Sequence, residues 1–355
     1  MFNDIYLNKK VLVTGHTGFK GSWLSLWLKS IGAEICGYSL GLPTRPNHYE
    51  LLKLNIKSVT ADILNKEKLK KTFLKFQPEI VFHLAAQPLV RRSYLEPVDT
   101  FMTNIMGTVN ILETCRSCES VQAIINITSD KCYENKEWIW GYRESDPVGG
   151  HDPYSASKAC SEIVTTAYRN SFYDNKTLIA TARSGNVIGG GDWAEDRLIP
   201  DIVKARSNNK HVEIRNPQAT RPWQHVLEPL SGYLQLGQKL LEKNKDFAEA
   251  WNFGPADTGN LSVEYILNSL KKHLDIKVKF TKINPDLHEA NHLKLDCSKA
   301  HSKLNWKPVW NNEEMISHTA LWYKQYYEKK SVLSTSQLED FTSKAKEKNL
   351  EWAIK

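Results

Sequence analysis

Three short stretches of the sequence carry side chains that could do chemistry together. In the first, Tyr154 and Lys158 follow Asp152-Pro153 and are four residues apart, which predicts that both lie on one face near the start of a helix. A lysine ammonium beside a phenol favours the phenolate, so such a tyrosine could act as a base near neutral pH. The same spacing is common in helices without any catalytic role, so the pair alone does not establish catalysis.

The second stretch reads NITSDKCYENKEWIWGYRE and places Ser129, Asp130 and Lys131 directly after a β-branched apolar run. A hydroxyl, a carboxyl and an amine at the end of a strand are groups that can exchange protons with a substrate. Trp138 and Trp140 follow them. These tryptophans could pack on a sugar or a base, and packing in the core explains them equally well.

The third stretch, VTGHTGFKGSW, places Gly15, Gly18 and Gly21 where an apolar run gives way to a helical pattern. Glycines at a strand–helix turn let the backbone approach a pyrophosphate, and the helix N-terminus directs free N–H groups at it. The spacing is GxxGxxG rather than GxGxxG, so a plain turn is the alternative. Asp62, which closes the third apolar run, could accept from an adenine amino group or simply cap a helix.

The second apolar run ends in Gly37-Tyr38-Ser39, where an acidic residue would ordinarily bind the ribose hydroxyls of a dinucleotide. Because that acid is missing, this position leaves NAD and NADP both open. Lys20 or Arg45 could even favour a phosphate.

Alternating apolar and amphipathic segments must position these side chains. Apolar runs occupy residues 10–15, 33–39, 59–62, 80–86, 123–129 and 177–187, and helical patterns occupy 21–31, 65–76, 99–117 and 154–171. Apolar strands without polar alternation, separated by helices, are typical of a parallel sheet covered on both faces. The sequence therefore predicts a doubly wound α/β fold.

The pattern changes after about residue 187 into loops rich in Gly, Asp, Asn and Pro. We therefore expect a nucleotide-binding domain over residues 1–186, with some later segments returning to it. A smaller substrate lobe is expected over 187–330, followed by a charged tail over 331–355 that is peripheral or partly disordered.

Composition excludes several other classes of protein. The 47 basic and 40 acidic residues give a net charge of +7, but the lysines are scattered, which argues against a nucleic-acid-binding face. The six cysteines include one CxxC without a second pair, so we expect reduced thiols and no metal site. With neither a signal-peptide pattern nor a long apolar stretch, the expected location is cytoplasmic, away from membranes.

Four motifs together resemble the extended short-chain dehydrogenase/reductases: GxxGxxG at 15–21, HLAAQ at 83–87, TSDK at 128–131 and YxxxK at 154–158. Within that family, SDKCYENKEWIWGYRE and GGGDWAEDRLIPD are similar to the nucleotide-sugar 4,6-dehydratases that act on CDP-glucose. The similarity extends from about residue 8 to about residue 325.

The resemblance implies a Rossmann domain of about seven strands, NAD as cofactor, CDP-glucose as substrate and no nucleic-acid partner. It also implies that protomers pair through helices near 99–117 and 154–171 into a homodimer or homotetramer. Such an enzyme forms a 4-keto-6-deoxy sugar by internal hydride transfer. The alternatives are a nucleotide-sugar epimerase, a dehydratase for another NDP-hexose, and a non-catalytic NAD-sensing relative.

The same resemblance assigns individual residues. The implied catalytic residues are Ser129, Asp130, Lys131, Tyr154 and Lys158. The implied cofactor contacts are Gly15, Thr17, Gly18, Phe19, Lys20, Gly21, Asp62, Ile63, Leu84, Ala85 and Ala86, with Tyr154 and Lys158. The implied substrate contacts are Gln87, Asn104, Ser129, Asn186, Arg197, Arg215 and Arg221.

Some of these assignments have plain alternatives. An exposed helix position would explain Asn104 equally well, and ordinary surface salt bridges could explain any of the arginines. Dehydratases of this group carry Glu where this chain has Lys131. The departure leaves open which group removes the proton from C5 of the sugar.

Overall fold

The computed structural model describes residues 1–173, 176–255, 259–281 and 293–354. The strands are β1 (Lys10–Thr14), β2 (Glu34–Ser39), β3 (Lys57–Thr60), β4 (Ile80–His83), β5 (Ala123–Ile127), β6 (Leu178–Ser184), β7 (Val187–Ile188), β8 (His211–Ile214), β9 (Thr220–Pro222), β10 (Gln224–His225), β11 (Ala250–Phe253), β12 (Asn260–Ser262) and β13 (Lys277–Phe280). Seven of these strands form one parallel sheet in the order β3-β2-β1-β4-β5-β6-β11.

The chain builds this sheet outward from β1 in both directions. It adds β2 and β3 on one side and continues with β4 on the other, so the strand order reverses between β1 and β4. In open α/β sheets, ligands bind outside the carboxyl ends of the strands near such a reversal. The glycine turn follows β1 and the Ser129 stretch follows β5, so both lie at this edge.

Helices cover both faces of the sheet and extend into the second half of the chain. They are α1 (Phe19–Ser30), α2 (His48–Leu52), α3 (Lys66–Phe76), α4 (Val90–Leu95), α5 (Pro97–Phe101), α6 (Gly107–Arg116), α7 (Pro153–Ser171), α8 (Leu198–Ser207), α9 (Leu227–Leu241), α10 (Val263–Lys271), α11 (Ser298–Lys303), α12 (Asn312–Lys329), α13 (Ser334–Glu347) and α14 (Glu351–Ile354).

Successive strand residues point to opposite faces, which gives two separate cores. Val11 and Val13 belong to the larger core, which includes side chains of α1, α9 and α12. Leu12 belongs to the smaller core, with Phe73 of α3 and Ile111 of α6. These two layers confirm the predicted doubly wound α/β class.

Two late segments return to the main domain. The strand β11 pairs with β6 and completes the sheet. In the segment 331–355, α13 and α14 contribute Phe341 and Trp352, whose rings lie 5.7 Å and 5.6 Å from Trp27 of α1. Both side chains are buried, so these helices are part of the main core.

The smaller strands pair two by two, as β7 with β10, β8 with β13 and β9 with β12. None of the described helices is both long enough and apolar enough to span a bilayer. All six cysteines fall within the described ranges and are free thiols.

Candidate active site

The turn after β1 is too tight for side chains at two of its glycines. Gly15 has a φ of +72°, and a Cβ there would lie 2.8 Å from the Ala85 nitrogen. A Cβ on Gly21 would lie 2.1 Å from the Gly15 carbonyl oxygen. Gly18 caps α1 without a side-chain hydrogen bond, which leaves the first amides from Phe19 onward to bind a phosphate. The turn therefore fits the pyrophosphate of a dinucleotide.

The loop after β4 is tied to the same edge. The backbone N–H groups of Leu84 and Ala85 each donate to Thr14 Oγ1 over 3.1 Å. Ala86 continues this loop and is partly exposed. The residues predicted to line the cofactor from β4 therefore lie next to the glycine turn.

The end of β2 has polar groups but no acid. Ser39 Oγ lies 2.7 Å from His16 Nδ1 and accepts from the Thr17 N–H over 3.3 Å. His16 Nε2 in turn lies 2.8 Å from Ser58 Oγ. The imidazole thus fills the space beside Gly37, where a Cβ would come within 2.2 Å of the ring.

At the end of β3, the capping alternative for Asp62 is wrong. Asn65 caps α3, whereas the exposed Asp62 accepts from the Leu64 N–H over 2.8 Å. Ile63 is buried, and its carbonyl accepts from Asn110 over 3.2 Å. Asp62 therefore lies exposed after β3, where it could reach an adenine.

A short turn after β5 holds the hydroxyl and carboxyl of the second stretch. Ser129 Oγ donates to Asp130 Oδ1 over 3.0 Å and accepts from the Lys131 N–H over 3.2 Å. Asp130 is 3% exposed, and its Oδ2 has no hydrogen-bond partner among the described residues. Burial raises the pKa of Asp130, while the charge of the partly exposed Lys131 opposes that rise. The carboxyl is therefore placed to act as an acid.

The helix α7 presents the tyrosine and lysine to this turn. Asp152 caps the helix, as the sequence predicts. Tyr154 and Lys158 are both buried, and the Tyr154 phenol is hydrogen-bonded to Ser129. Lys158 Nζ donates to the Ile127 carbonyl over 3.3 Å. The end of β5 and the start of α7 thus bring the hydroxyl, carboxyl, phenol and amine together.

Burial opposes the phenolate form of Tyr154 that the sequence predicts. Burial raises the pKa of Tyr154 to about 12; the hydrogen bond with Ser129 opposes that rise, and the Asp130 charge adds to it. Burial also lowers the pKa of Lys158 to about 8, with the Glu162 charge opposing it. Desolvation thus disfavours the charged forms of both side chains.

Asn104 lies inside the protein, which excludes the exposed-helix alternative. It is 2% exposed and sits in a π-helical turn, Met102–Met106. Its Oδ1 accepts from the Gln87 N–H over 2.8 Å, and its Nδ2 donates to the Gln87 carbonyl and to Ser157 Oγ. Gln87 is also buried, with its amide bonded to the main chain of Leu89. Both residues hold the loop after β4 against α7.

The four predicted substrate contacts in the second half of the chain differ in their relation to the catalytic groups. Arg197 Nη1 lies 2.9 Å from Asp192 Oδ2, and its charge lowers the pKa of Tyr154 against the effect of burial. Arg221 is buried, and its charge opposes the rise in the pKa of Asp130. The other two predicted contacts, Asn186 after β6 and Arg215 after β8, are half-buried.

Comparison with known proteins shows the family. The family model for GDP-mannose 4,6 dehydratase matches residues 12–319. The chain belongs to the GDP-mannose 4,6 dehydratase family. It is 49% identical over 345 residues to the CDP-glucose 4,6-dehydratase of Salmonella typhimurium, across 95% of this chain and 96% of that protein.

Solved structures of related proteins share the fold of this GDP-mannose 4,6 dehydratase family member. The UDP-glucuronic acid 4-epimerase from Bacillus cereus, in complex with UDP-glucuronic acid and NAD, is 26% identical with a TM-score of 0.77, over 90% of this chain and 100% of that chain. DesIV, a dTDP-glucose 4,6-dehydratase from Streptomyces venezuelae, is 21% identical with a TM-score of 0.78, over 89% and 97%. The sheet of seven parallel strands flanked by helices is therefore an architecture that this chain shares with solved structures.

The two tryptophans of this family member lie at the surface, so the core-packing alternative is wrong. Trp138 stacks on Tyr142 with ring centroids 5.2 Å apart, and Trp140 packs edge-on against Trp138. Trp140 is 66% exposed. Their rings are thus accessible to a ligand or another surface.

A buried ion pair behind the site was missed by sequence reasoning. Arg183 Nη2 lies 2.9 Å from Glu162 Oε2, and both side chains are at most 4% exposed. Thr128 and Thr181 also donate to Glu162, over 2.5 Å and 2.7 Å. Two features of the sequence could have indicated this ion pair: an arginine within an apolar strand, and a glutamate four residues after Lys158. This pair ties α7 to β6 and to the residue preceding Ser129.

The backbone of Lys20 lies in the glycine turn, but its side chain reaches the end of β6. Its Nζ donates to Ser184 Oγ over 2.6 Å and lies 3.5 Å from the Tyr233 hydroxyl. Sequence reasoning did not select Ser184 or Tyr233, because nothing local distinguishes them. Their position at the site depends on the packing of α1 and α9 against β6.

Proposed function

We propose that the chain is a CDP-glucose 4,6-dehydratase, a lyase that converts CDP-D-glucose into CDP-4-keto-6-deoxy-D-glucose and water. The observation that carries this proposal is the 49% identity to the Salmonella typhimurium enzyme along nearly the whole of both chains. The buried Asp130 supports it further, because elimination of water needs an acid at the 6-hydroxyl. An epimerase has no use for such an acid.

The proposed cofactor is NAD, held by the turn of Gly15, Gly18 and Gly21 and by Lys158 at its ribose. The Cβ contacts at Gly15 and Gly21 support this placement, since side chains there would fill the cradle. The Bacillus cereus epimerase, a relative at 26% identity, binds NAD. When bound, NAD would accept the hydride from C4 of the sugar and return it at C6, while a proton returns to C5.

In the oxidation step, Tyr154 takes the proton of the sugar 4-hydroxyl. Ser129 is hydrogen-bonded to the phenol and therefore meets the same substrate oxygen. Because burial raises the pKa of Tyr154 to about 12, the phenol needs additional positive charge nearby before it serves as a base. Arg197 supplies part of it, since its charge favours the phenolate.

In the elimination step, Asp130 gives its proton to the departing 6-hydroxyl, and a base removes the proton at C5. The ketone at C4 makes that C5 proton acidic. Lys131 is one candidate for this base. The alternative is that Lys131 stays charged and stabilises the developing enolate oxygen, while another group or water takes the proton. Its half-buried side chain beside Asp130 fits both roles.

The second half of the chain holds the nucleotide in this proposal. Arginine forks suit a diphosphate, and Arg197 and Arg221 already act on the catalytic groups. Arg215 and Asn186 complete the proposed set. Gln87 and Asn104 contribute by holding the loop after β4, because their amide groups are bonded within the protein.

The proposal extends to assembly and location. The six free cysteines fit a reducing compartment, so we place the enzyme in the cytoplasm. We further propose a homodimer, or a homotetramer built from it, that pairs through the helices near 97–116 and 153–171.

A panel of nucleotide sugars tests this function. Purified protein is incubated with CDP-glucose, dTDP-glucose and UDP-glucose, and the 4-keto product is followed by its absorbance in alkali. The expected kcat/KM for CDP-glucose is well above that for the other two sugars. Equal values for all three would refute the nucleotide assignment, and a C4 epimer as the product would favour an epimerase.

A further inference from the structure

Lys20 is fixed at the carboxyl end of β6. Its Nζ donates to Ser184 Oγ over 2.6 Å, and the Ser184 and Tyr233 hydroxyls lie 2.8 Å apart. The ammonium is therefore held at the carboxyl end of β6, although the Lys20 backbone belongs to the first turn of α1. The Ser184 hydroxyl is a partner for the ammonium within the protein, so the position of the Lys20 side chain does not depend on a bound phosphate.

Asp130 approaches the same strand end from the other side. A Cβ on Gly185, the residue after Ser184, would lie 3.1 Å from Asp130 Oδ2. That oxygen has no hydrogen-bond partner among the described residues, and Asp130 is only 3% exposed. A buried, unpartnered carboxylate oxygen thus lies beside the strand end that binds the Lys20 ammonium.

The two groups influence each other's protonation. Burial raises the pKa of Asp130 and lowers that of Lys20 to about 7. The charge of each opposes the effect of burial on the other. A proton that passes from the ammonium to the carboxylate leaves a neutral amine and a neutral acid, so the total charge of the pair does not change.

Other charged and titratable groups also face this pair. They are Lys131, Arg221 and the Cys132 thiol around Asp130, Lys158 and Arg197 around Lys20, and the phenols of Tyr154 and Tyr233 near Asp130. The arginines keep their charge throughout the working range of pH. Lys20 differs from them, because its own protonation changes close to neutral pH.

We propose that Lys20 is a positioning residue for elimination, whose ammonium controls how readily Asp130 holds the proton destined for the 6-hydroxyl. The role of Lys20 in elimination rests on the proposed function. The electrostatic coupling between Lys20 and Asp130 does not depend on that function. Charged Lys20 favours the Asp130 carboxylate, and neutral Lys20 favours the acid. After Asp130 has given up its proton, Lys20 is the neighbour that can replace it.

An infrared titration of the substrate-free protein tests the coupling directly. The protonated-carboxyl band of Asp130 is assigned by its loss in Asp130→Asn, and its midpoint is compared among variants. Lys20→Met should raise the midpoint by about one pH unit, because an apolar side chain no longer favours the carboxylate. Lys20→Arg keeps the charge and should leave the midpoint at or below that of the wild type. Lys71→Met, at an exposed lysine of α3, is the control and should not move it.

An unchanged midpoint in a folded Lys20→Met protein would overturn the proposal. If Lys20→Met does not fold, Lys20→Gln serves in its place. Dinucleotide content is measured on the same samples, and its loss with an unchanged midpoint would assign Lys20 to the cofactor instead. Turnover of CDP-glucose by the wild type tests the proposed function separately, so a midpoint shift in a protein that does not turn over this sugar would leave the coupling intact.

Discussion

Among single residues, Tyr154 is the one on which the proposed oxidation step depends. Replacing it with phenylalanine removes the base for the 4-hydroxyl and leaves the ring packing in place. We expect Tyr154→Phe to lower kcat by about 10²-fold or more, with no change in thermal unfolding. Tyr168→Phe, on the same helix and partly exposed, is the matched control and should keep normal turnover. Near-normal turnover by folded Tyr154→Phe would remove the tyrosine from the mechanism.

Asp130 gives a second residue-scale prediction, in which activity and stability change in opposite directions. Burial raises the pKa of Asp130, so the folded protein binds this proton more tightly than the unfolded chain. Stability therefore falls as pH rises from the unfolded value, about 4, through the folded value, and the penalty persists at pH 7. Asp130→Asn should remove this penalty and raise the free energy of unfolding at pH 7.

Urea unfolding of the wild type and Asp130→Asn between pH 4 and 7 measures that difference. Rapid mixing with CDP-glucose should still give the absorbance of the reduced cofactor in Asp130→Asn, while the 6-deoxy product forms slowly. If Asp130→Asn were less stable than the wild type at pH 7, burial of the Asp130 carboxylate would not lower the free energy of unfolding as we expect. A variant that never reduces the cofactor would assign Asp130 to binding or to the first hydride transfer.

At the scale of elements, the Glu162–Arg183 pair joins α7 to β6 behind the catalytic turn. Glu162→Ala would leave the Arg183 guanidinium buried without its partner, since both side chains are at most 4% exposed. We expect a loss of about 3–5 kcal/mol in the free energy of unfolding, measured in urea. The double variant Glu162→Ala with Arg183→Met should recover part of that loss. A loss below about 1 kcal/mol in Glu162→Ala would show that the pair is dispensable.

The sequence predicted most elements of the main sheet because apolar runs and amphipathic segments reflect burial directly. It also predicted one continuous helix over 99–117, where the structure has α5, a π-helical turn and α6. Apolar periodicity does not reveal that turn. Asn104 lies within it and is hydrogen-bonded to Gln87 and Ser157, partners from other elements.

The same limit applies to the candidate site. The motifs at a strand end and a helix start predicted that Ser129, Asp130, Tyr154 and Lys158 lie near one another, and the structure places them together. Lys20 meets a residue 164 positions later in the chain, and only packing decides that contact.

For the whole molecule, exposed apolar side chains on α4, α5 and α7 and directly after α7 predict an interface between two copies of the chain. Leu95, Val98, Ile163 and Phe172 are between 55% and 83% exposed. Burial of such side chains in a second protomer is favourable. We expect a dimer by light scattering and mostly monomer for Leu95→Lys combined with Ile163→Lys. An unchanged mass for the double variant would place the interface elsewhere.

CDP-glucose that carries deuterium at C4 tests the internal hydride transfer and the loss of water together. The product is examined by NMR and mass spectrometry after complete turnover without added cofactor. We expect a 4-keto-6-deoxy sugar with the deuterium at C6, because the same cofactor molecule takes the hydride and returns it. A 6-deoxy product without deuterium at C6, or a product that keeps its 6-hydroxyl, would contradict the account.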